Sequence, residues 1–276
     1  MYPMTGARRL IRPTGRVFDR FVQEVTSGSL STGPGDERAV TENDLADLPP
    51  AVQRYLRFMG VVGQPRLWSF RAHFVGRFRL RPRLGWMPAE AWQYNSVEAI
   101  GRVFVMRIRC AGVVPMVGVD SYLDGRGRMF GELLGFVTVA DGSGSEFDVG
   151  ELTTFLNDAV LLAPSFLLLP AVSWAEVDNS TFDVTLTDAG NTVTGRVFLD
   201  EQGAPVDFRS TDRYAALPGG MRRSEWGTPI AQWTSVDGRP WPTGLSAVWH
   251  LPEGDLPYVD GQFVSAGFAG NVRPGD

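Results

Sequence analysis

The stretch Thr154–Leu169, TFLNDAVLLAPSFLLL, decides the predicted fold. It is strongly apolar with helical spacing, but an Asn157–Asp158 pair interrupts it where a buried helix is normally most apolar. Much of the remaining sequence alternates between apolar and polar residues, which is typical of β-strands. Because so apolar a helix does not sit in water, we expect the strands to fold over it and to leave a cavity.

The composition is that of a globular protein with a sizeable core: 276 residues, 43% hydrophobic and 21% charged. The net charge of −5 argues against a nucleic-acid partner, because nucleic-acid-binding proteins carry a basic face. The longest apolar stretch, Ala159–Val172, is broken by prolines and is too short to span a bilayer. We therefore expect no transmembrane segment and a cytoplasmic location, and the sequence leaves the oligomeric state open.

Helices are predicted ahead of the strands. Residues 7–26 have amphipathic spacing, and residues 27–36 have the composition of a flexible linker. A short acidic helix is expected at 41–48. A further helix is expected at 50–60, because Pro50 is suited to its first turn and Gly60 to its end. These elements make up a predicted N-terminal helical arm and linker over residues 1–62.

From residue 67 onward the spacing of apolar residues changes to two. The stretch Trp68–Leu80 is the clearest predicted strand, apolar on one face and basic on the other. Asp-Gly pairs, as at Asp124–Gly125, are typical of tight hairpin turns. We expect about ten strands over residues 63–276, with a loop at 215–224 and a helical insert at 147–170. The predicted fold is mainly β with α (α+β): a curved antiparallel sheet or half-barrel that the insert covers.

Five short motifs occur along the chain in this order: QRYLRF (53–58), TFLNDAVLLAP (154–164), DFRSTDRY (207–214), EWGTP (225–229) and AVWHLPEGDLPY (247–258). In order and spacing they resemble a bacterial family with no assigned function, over about residues 48–271. The resemblance implies a curved antiparallel sheet that holds a helical plug, similar to the periplasmic lipoprotein-carrier fold, and it implies no activity. The family tends to have two acids before the Arg-Tyr pair, whereas Thr211 and Asp212 precede Arg213 here.

Asp158 is the first candidate site residue, because burying an unpaired carboxylate is costly. One interpretation is that Asp158 pairs with a strand arginine (Arg107, Arg209 or Arg213) and locks the insert to the sheet. The other is that Asp158 and Asn157 form a polar anchor at the cavity floor, or that Asp158 is a general acid or base with a raised pKa.

The leading hypothesis is that the cavity binds a hydrophobic or amphipathic small molecule. Asn157, Asp158 and Arg213 would be its polar contacts, and aromatic residues would line the pocket. The candidate ligand-binding residues are Phe155, Asn157, Asp158, Arg213, Trp249 and His250.

Two alternatives stay open. The first is a cofactor-independent enzyme, of the cyclase or isomerase type, that acts on a hydrophobic metabolite with Asp158 or Glu151 as acid or base. The second is a structural or interaction protein with a filled core, which a cavity smaller than about 300 Å³ would favour. No metal site or other cofactor is expected, because His73 and His250 show no metal-ligand spacing.

Overall fold

The computed structural model describes residues 16–79, 85–110, 112–236, 238–263 and 267–275, which form one antiparallel sheet with helices on both faces. Its helices are α1 (Arg16–Ser27), α2 (Glu42–Leu45), α3 (Pro50–Phe58), α4 (Ser145–Leu162) and a 3₁₀ helix at Pro164–Leu168. Its strands are β1 (Ser69–Phe78), β2 (Met87–Ser96), β3 (Gly101–Cys110), β4 (Val114–Leu123), β5 (Arg126–Leu133), β6 (Val137–Ser143), β7 (Val172–Asp178), β8 (Thr181–Asp188), β9 (Asn191–Leu199), β10 (Pro205–Leu217), β11 (Gly220–Gly227), β12 (Ile230–Val236), β13 (Arg239–Leu251), β14 (Gly254–Phe263) and β15 (Ala269–Gly270).

The antiparallel sheet is confirmed, but it has 15 strands where about ten were predicted. One predicted strand, Arg128–Val139, is split into β5 and β6 by a turn in which Leu134 and Gly135 have positive φ. The predicted loop at 215–224 is wrong, because that segment belongs to the β10–β11 hairpin. The β5–β6 turn had no clear signal, because Leu-Gly is not the usual hairpin dipeptide. The β10–β11 turn at Pro218–Gly219 did have a turn signal, but residues 220–223 after it are exposed and show no apolar alternation to indicate a strand.

The sheet is open and curves back toward itself. Its strand order is β6-β5-β4-β3-β2-β1-β14-β13-β11-β10-β9-β8-β7, with β12 added to β13 and β15 to β1. The β4–β5 turn contacts the β8–β9 turn: the Tyr122 hydroxyl donates to Asp188 at 2.8 Å, and the Asn191 amide donates to the Gly125 carbonyl at 3.0 Å. Strands far apart in the order therefore come together, while no pairing of the edge strands β6 and β7 with each other is found in the described part of the sheet.

The outer face of the sheet is covered by α1. Phe21 and Val25 are 3% and 2% exposed and pack in a cluster that includes Trp92 and Val103. The predicted helix at 7–26 is therefore confirmed for its second half, and its first residues, up to 15, lie outside the described residues. Leu80 of the first predicted strand also lies outside them.

The inner face holds α2, α3 and α4 in one hydrophobic core. Twelve of the 18 residues of α4 are buried, which confirms the helical insert predicted at 147–170. The Tyr55 hydroxyl of α3 donates to the Val160 carbonyl of α4 at 2.7 Å and ties the two helices together. The helices α2 and α3 share this core with the strands. The domain boundary at residue 62 stays a prediction. No helix in the described part of the chain is long and apolar enough to cross a membrane.

Candidate functional site

A cleft of about 200 Å³ lies between the inner face of the sheet and α4. Its walls are apolar and come from β1, β3, β13, β14 and α4, whereas its floor is polar. The wall includes Phe74, Phe104, Met106, Leu161, Ala247 and Val259, and the floor includes Gln93, Arg102, Asp120, Asn157, Asp158 and Arg213.

The strand alternation brings the polar floor residues to the inner face. Trp92, Val103 and Val119 point to the outer face, where they pack with α1. Their neighbours Gln93, Arg102 and Asp120 must therefore point inward. The register pairs Asn95 of β2 with Arg102 of β3. It also places Gln93 of β2 and Asp120 of β4 on either side of Phe104 of β3. These side chains therefore form two adjacent rows across the three strands.

Asp158 is held by three donors that converge on one oxygen, Oδ2. Arg102 Nε donates to it at 2.8 Å, Gln93 Nε2 at 2.6 Å and Asn95 Nδ2 at 3.2 Å. The other oxygen, Oδ1, accepts no hydrogen bond from a described residue. Asp158 therefore combines a fixed position on the floor with one carboxylate oxygen that stays available.

Glu151 lies one layer behind Asp158 on the same face of α4. Arg102 Nη1 donates to Glu151 Oε2 at 3.0 Å, and Arg213 Nη2 is 3.8 Å from Glu151 Oε1. The side chains of Arg102 and Glu151 are only 5% and 6% exposed. Arg102 thus bridges both acids of α4 and fixes the helix to β3.

Arg213 reaches the inner face through an irregularity in β10. The pairing of β10 with β11 shifts register between Ser210 and Arg213, and such bulges often redirect a side chain near a site. Its guanidinium carbon lies 4.4 Å from the centre of the Trp226 ring and 5.6 Å from that of Trp249. Arg213 is therefore held by aromatic rings as well as by Glu151.

Asp120 and Asp158 on the floor and Glu151 behind it form a cluster of three carboxylates with the guanidinium groups of Arg102 and Arg213. Burial is the largest cause that raises the pKa of all three acids; Arg102 opposes it at each of them, and Arg213 opposes it at Asp120 and Glu151. Burial and the neighbouring Asp120 raise the pKa of Glu151 to about 7. Three acidic groups therefore face two basic ones, and Glu151 is the acid whose pKa lies near neutral pH.

The predicted site residues fall into two groups. Asn157 and Asp158 lie on the floor with Arg213, and the Asn157 amide donates to Thr228 Oγ1 at 2.7 Å. Phe155 instead lies in the core, stacked on Phe166 with 6.0 Å between ring centres.

The β13 candidates lie outside the lining of the cleft. Trp249 stacks on Tyr258, which does line it, at 6.1 Å between ring centres. Nδ1 of His250 lies 2.8 Å from Asp255, and its buried Nε2 has no hydrogen-bond partner among the described residues.

The partner expected for Asp158 is corrected in part. Arg107 pairs with Glu90 and Arg209 pairs with Asp207, and neither contacts Asp158. Arg213 contacts Glu151, and the direct partner of Asp158 is Arg102. The alternation of β3 contains the missing signal, because Arg102 shares a face with Phe104, Met106 and Ile108.

A second cavity, of about 210 Å³, lies between the loop after α3 and the β12–β13 hairpin. Its lining is largely apolar, with Arg239 as its single charged residue in the described part of the chain. The converging buried polar groups that distinguish the first cleft have no counterpart there. In the described residues, no cluster of histidine, cysteine or acidic side chains is arranged to hold a metal ion.

Comparison with known proteins identifies a family and solved structures of similar fold, two of which are described below. Residues 38–261 match the model of a family of unknown function, DUF6544, which confirms the predicted resemblance to a family without an assigned function. No curated protein sequence matches the chain significantly.

The first structure is a LolA superfamily protein from Nitrosomonas europaea, at 12% identity and TM-score 0.40, covering 81% of this chain and 92% of that one. The second is a β-barrel-like protein of the DUF1849 family from Brucella abortus, at 12% identity and TM-score 0.29, covering 74% and 98%. At this identity neither similarity extends to function.

Proposed function

The chain belongs to the DUF6544 family, whose function is unknown, and we propose that it binds an apolar or amphipathic small molecule in the cleft between the sheet and α4. The observation that supports this proposal is the combination of apolar walls with a polar floor that is held in place by buried hydrogen bonds. Ligand sites in proteins commonly have this arrangement, with a few fixed polar groups in an apolar pocket.

The polar contacts in this proposal are Asn157, Asp158 and Arg213. Phe155 and Trp249 lie one layer behind the ligand and support the floor and the wall, since each stacks on a neighbouring ring. His250 belongs to the same supporting strand as Trp249 and would act through it rather than touch the ligand.

The volume of the cleft limits the ligand. About 200 Å³ is below the roughly 300 Å³ under which a structural protein with a filled core is favoured, so the volume alone favours that alternative, and the polar floor is what supports binding. The volume is also less than the roughly 300–1,000 Å³ of pockets that take drug-sized molecules. The proposal is therefore a small ligand, such as a molecule with a short alkyl chain, or one end of a longer amphipathic molecule.

Isothermal titration calorimetry with 1-octanol tests the proposal, because octanol has an apolar chain and an uncharged head group. The variant Ala89→Trp fills the apolar end of the cleft, where Ala89 is only partly buried. We expect octanol to bind the unmodified protein and to bind Ala89→Trp at least tenfold more weakly.

The matched control is Ala175→Trp, which makes the same change at an exposed position of β7. It should bind octanol like the unmodified protein. Equal binding to both tryptophan variants would contradict the proposed location, and no binding to the unmodified protein would favour the alternative of a structural protein with a filled core.

A cofactor-independent enzyme remains a second candidate, and the pKa values of the floor favour it. Burial raises the pKa of Asp158, and the pKa of Glu151 is raised to about 7, so the floor can exchange a proton near neutral pH. Asp158 faces the cleft and would be the acid or base, with Glu151 behind it.

The enzyme candidate is tested with Asp158→Asn once a reaction has been found by incubating the protein with hydrophobic metabolites. Loss of turnover with unchanged folding would support catalysis. Unchanged turnover would exclude Asp158 as the acid or base, and loss of folding would assign it to the structural role.

A further inference from the structure

We infer that the cleft selects ligands whose head group is a protonated amine. This inference rests on the proposed function and adds the chemical class of the ligand. It follows from two features of the floor: the charges do not balance, and the groups left open toward the cleft are hydrogen-bond acceptors.

The charge imbalance lies on the floor itself. Asp120, Glu151 and Asp158 carry three negative charges when ionised, against the two positive charges of Arg102 and Arg213. Charges at the rim of the cleft are paired, since Arg77 contacts Asp260, and Glu90 contacts Arg107 and lies 3.1 Å from His73. One positive charge is therefore missing, and an ammonium group supplies it.

Both arginines are already engaged by protein groups. Arg102 donates to Asp158 and Glu151, and its guanidinium carbon lies 5.0 Å from the centre of the Phe104 ring. Arg213 is packed against Trp226 and Trp249 and lies 3.8 Å from Glu151. A ligand carboxylate or phosphate would compete with these contacts and would add a fourth negative charge to the floor.

The acceptors, in contrast, are available. Asp120 lines the cleft and accepts no hydrogen bond from a described residue. Asp158 uses only Oδ2 for its three donors, so Oδ1 remains open. An ammonium group has three N–H donors and no acceptor, and its polarity therefore complements both carboxylates.

The aromatic walls are also compatible with a cation. Phe74 and Tyr258 line the cleft, and the face of an aromatic ring attracts a cationic group that is removed from water. The rings of Phe104 and Trp226 also line it but already contact the two arginines. With about 200 Å³ available, a short-chain alkylamine, or an arylalkylamine whose nitrogen is separated from the ring by a methylene group, is the class that fits.

Amine binding should therefore be coupled to the release of a proton from the carboxylate cluster. In the empty protein a proton partly compensates the excess negative charge, whereas a bound ammonium group takes over that compensation and releases the proton. Amine affinity should therefore rise with pH as the floor ionises, although an alkylamine is protonated throughout this range, like the lysine side chain with its pKa of about 10.4.

The test compares octylamine, octanol and octanoate by calorimetry at pH 6 and pH 8. We expect octylamine to bind at least tenfold more tightly than octanol at pH 8, and octanoate to bind most weakly. We also expect octylamine to lose affinity at pH 6, while the affinity for octanol stays constant.

The decisive variant is Asp120→Asn, with Asp47→Asn as the control that removes the same charge from an exposed position. We expect Asp120→Asn to weaken octylamine about tenfold more than it weakens octanol, and Asp47→Asn to affect neither. The pH dependence of the unmodified protein tests the same point without relying on a variant.

Octanoate binding as tightly as octylamine, or an octylamine affinity that does not depend on pH or on Asp120, would overturn the inference and leave the proposed function standing. If none of the three compounds bound, the proposed function itself would fail.

Discussion

Arg102 lies between Glu151 and Asp158 and contacts both of them within 3.0 Å. Its side chain is 5% exposed, so its removal would leave two carboxylates buried without their cation. Breaking a buried ion pair in this way typically costs about 3–5 kcal/mol. We therefore expect Arg102→Met to lower the free energy of unfolding by about 3–5 kcal/mol, as measured by urea denaturation.

The control for this prediction is Arg196→Met, because the Arg196–Asp183 pair is largely solvated, with the arginine side chain 48% exposed. An exposed pair contributes less than about 1 kcal/mol. Equal effects of the two substitutions would mean that the floor network does not hold α4 in place.

Glu151 makes stability depend on pH. Burial and Asp120 raise its pKa from the ordinary 4.5 to about 7 in the folded protein. The folded state thus binds the Glu151 proton more tightly than the unfolded chain does. This contribution is fully present below pH 4.5 and is lost as the pH rises through 7.

We therefore expect the melting temperature to fall between pH 5 and pH 8, and Glu151→Gln to make this fall smaller because glutamine does not titrate. Differential scanning calorimetry at several pH values measures the slope. The same slope in the variant and the unmodified protein would show that Glu151 does not titrate there.

At the residue scale the sequence was informative about α4 and less so about the strands facing it. Asp158 and Asn157 were found because polar residues stand out in an apolar helix. Arg102 and Asp120 were missed because a charged residue in a strand is usually solvent-facing. For Arg102 the alternation of β3 was the signal, whereas for Asp120 it was the register that pairs it with Phe104 of β3.

The helix α4 is the element on which the inner core depends. Leu152 and Leu156 are fully buried in the core cluster that α4 forms with the strands, α2 and α3. Leu156→Ala would leave a cavity there, and such substitutions cost about 2–5 kcal/mol. We expect a loss of that size in urea denaturation.

Val113→Ala is the matched control, because Val113 is 79% exposed and its truncation should change stability by less than about 0.5 kcal/mol. A small effect of Leu156→Ala would show that α4 is loosely packed, and the cleft beside it would then have no fixed wall.

Among the elements, those with strong periodicity or turn chemistry were predicted correctly. The β4–β5 turn at Asp124–Gly125 is found as expected, with both residues at positive φ. The β5–β6 and β10–β11 hairpins were not predicted, because β6 and the first half of β11 bury little and need no apolar alternation. Their existence depends on pairing with neighbours, which local sequence does not encode.

At the scale of the whole molecule, the curvature of the sheet and the position of α4 create the cleft together. α4 connects the two edge strands, β6 and β7, and occupies the inside of the curve. The sequence predicted a covered, curved sheet because α4 is too apolar for solvent. It could not predict the free volume, which depends on how closely α4 approaches the strands.

We propose that a ligand binds in this free volume. Nuclear magnetic resonance with ¹⁵N-labelled protein and octanol tests it directly, because backbone amide shifts report where the ligand lies. We expect shifts at Ala91, Asp158 and Thr228, which line the cleft, and none at Phe21 or Val25 of α1 on the outer face. An unchanged spectrum at saturating octanol, or shifts confined to the outer face, would contradict it.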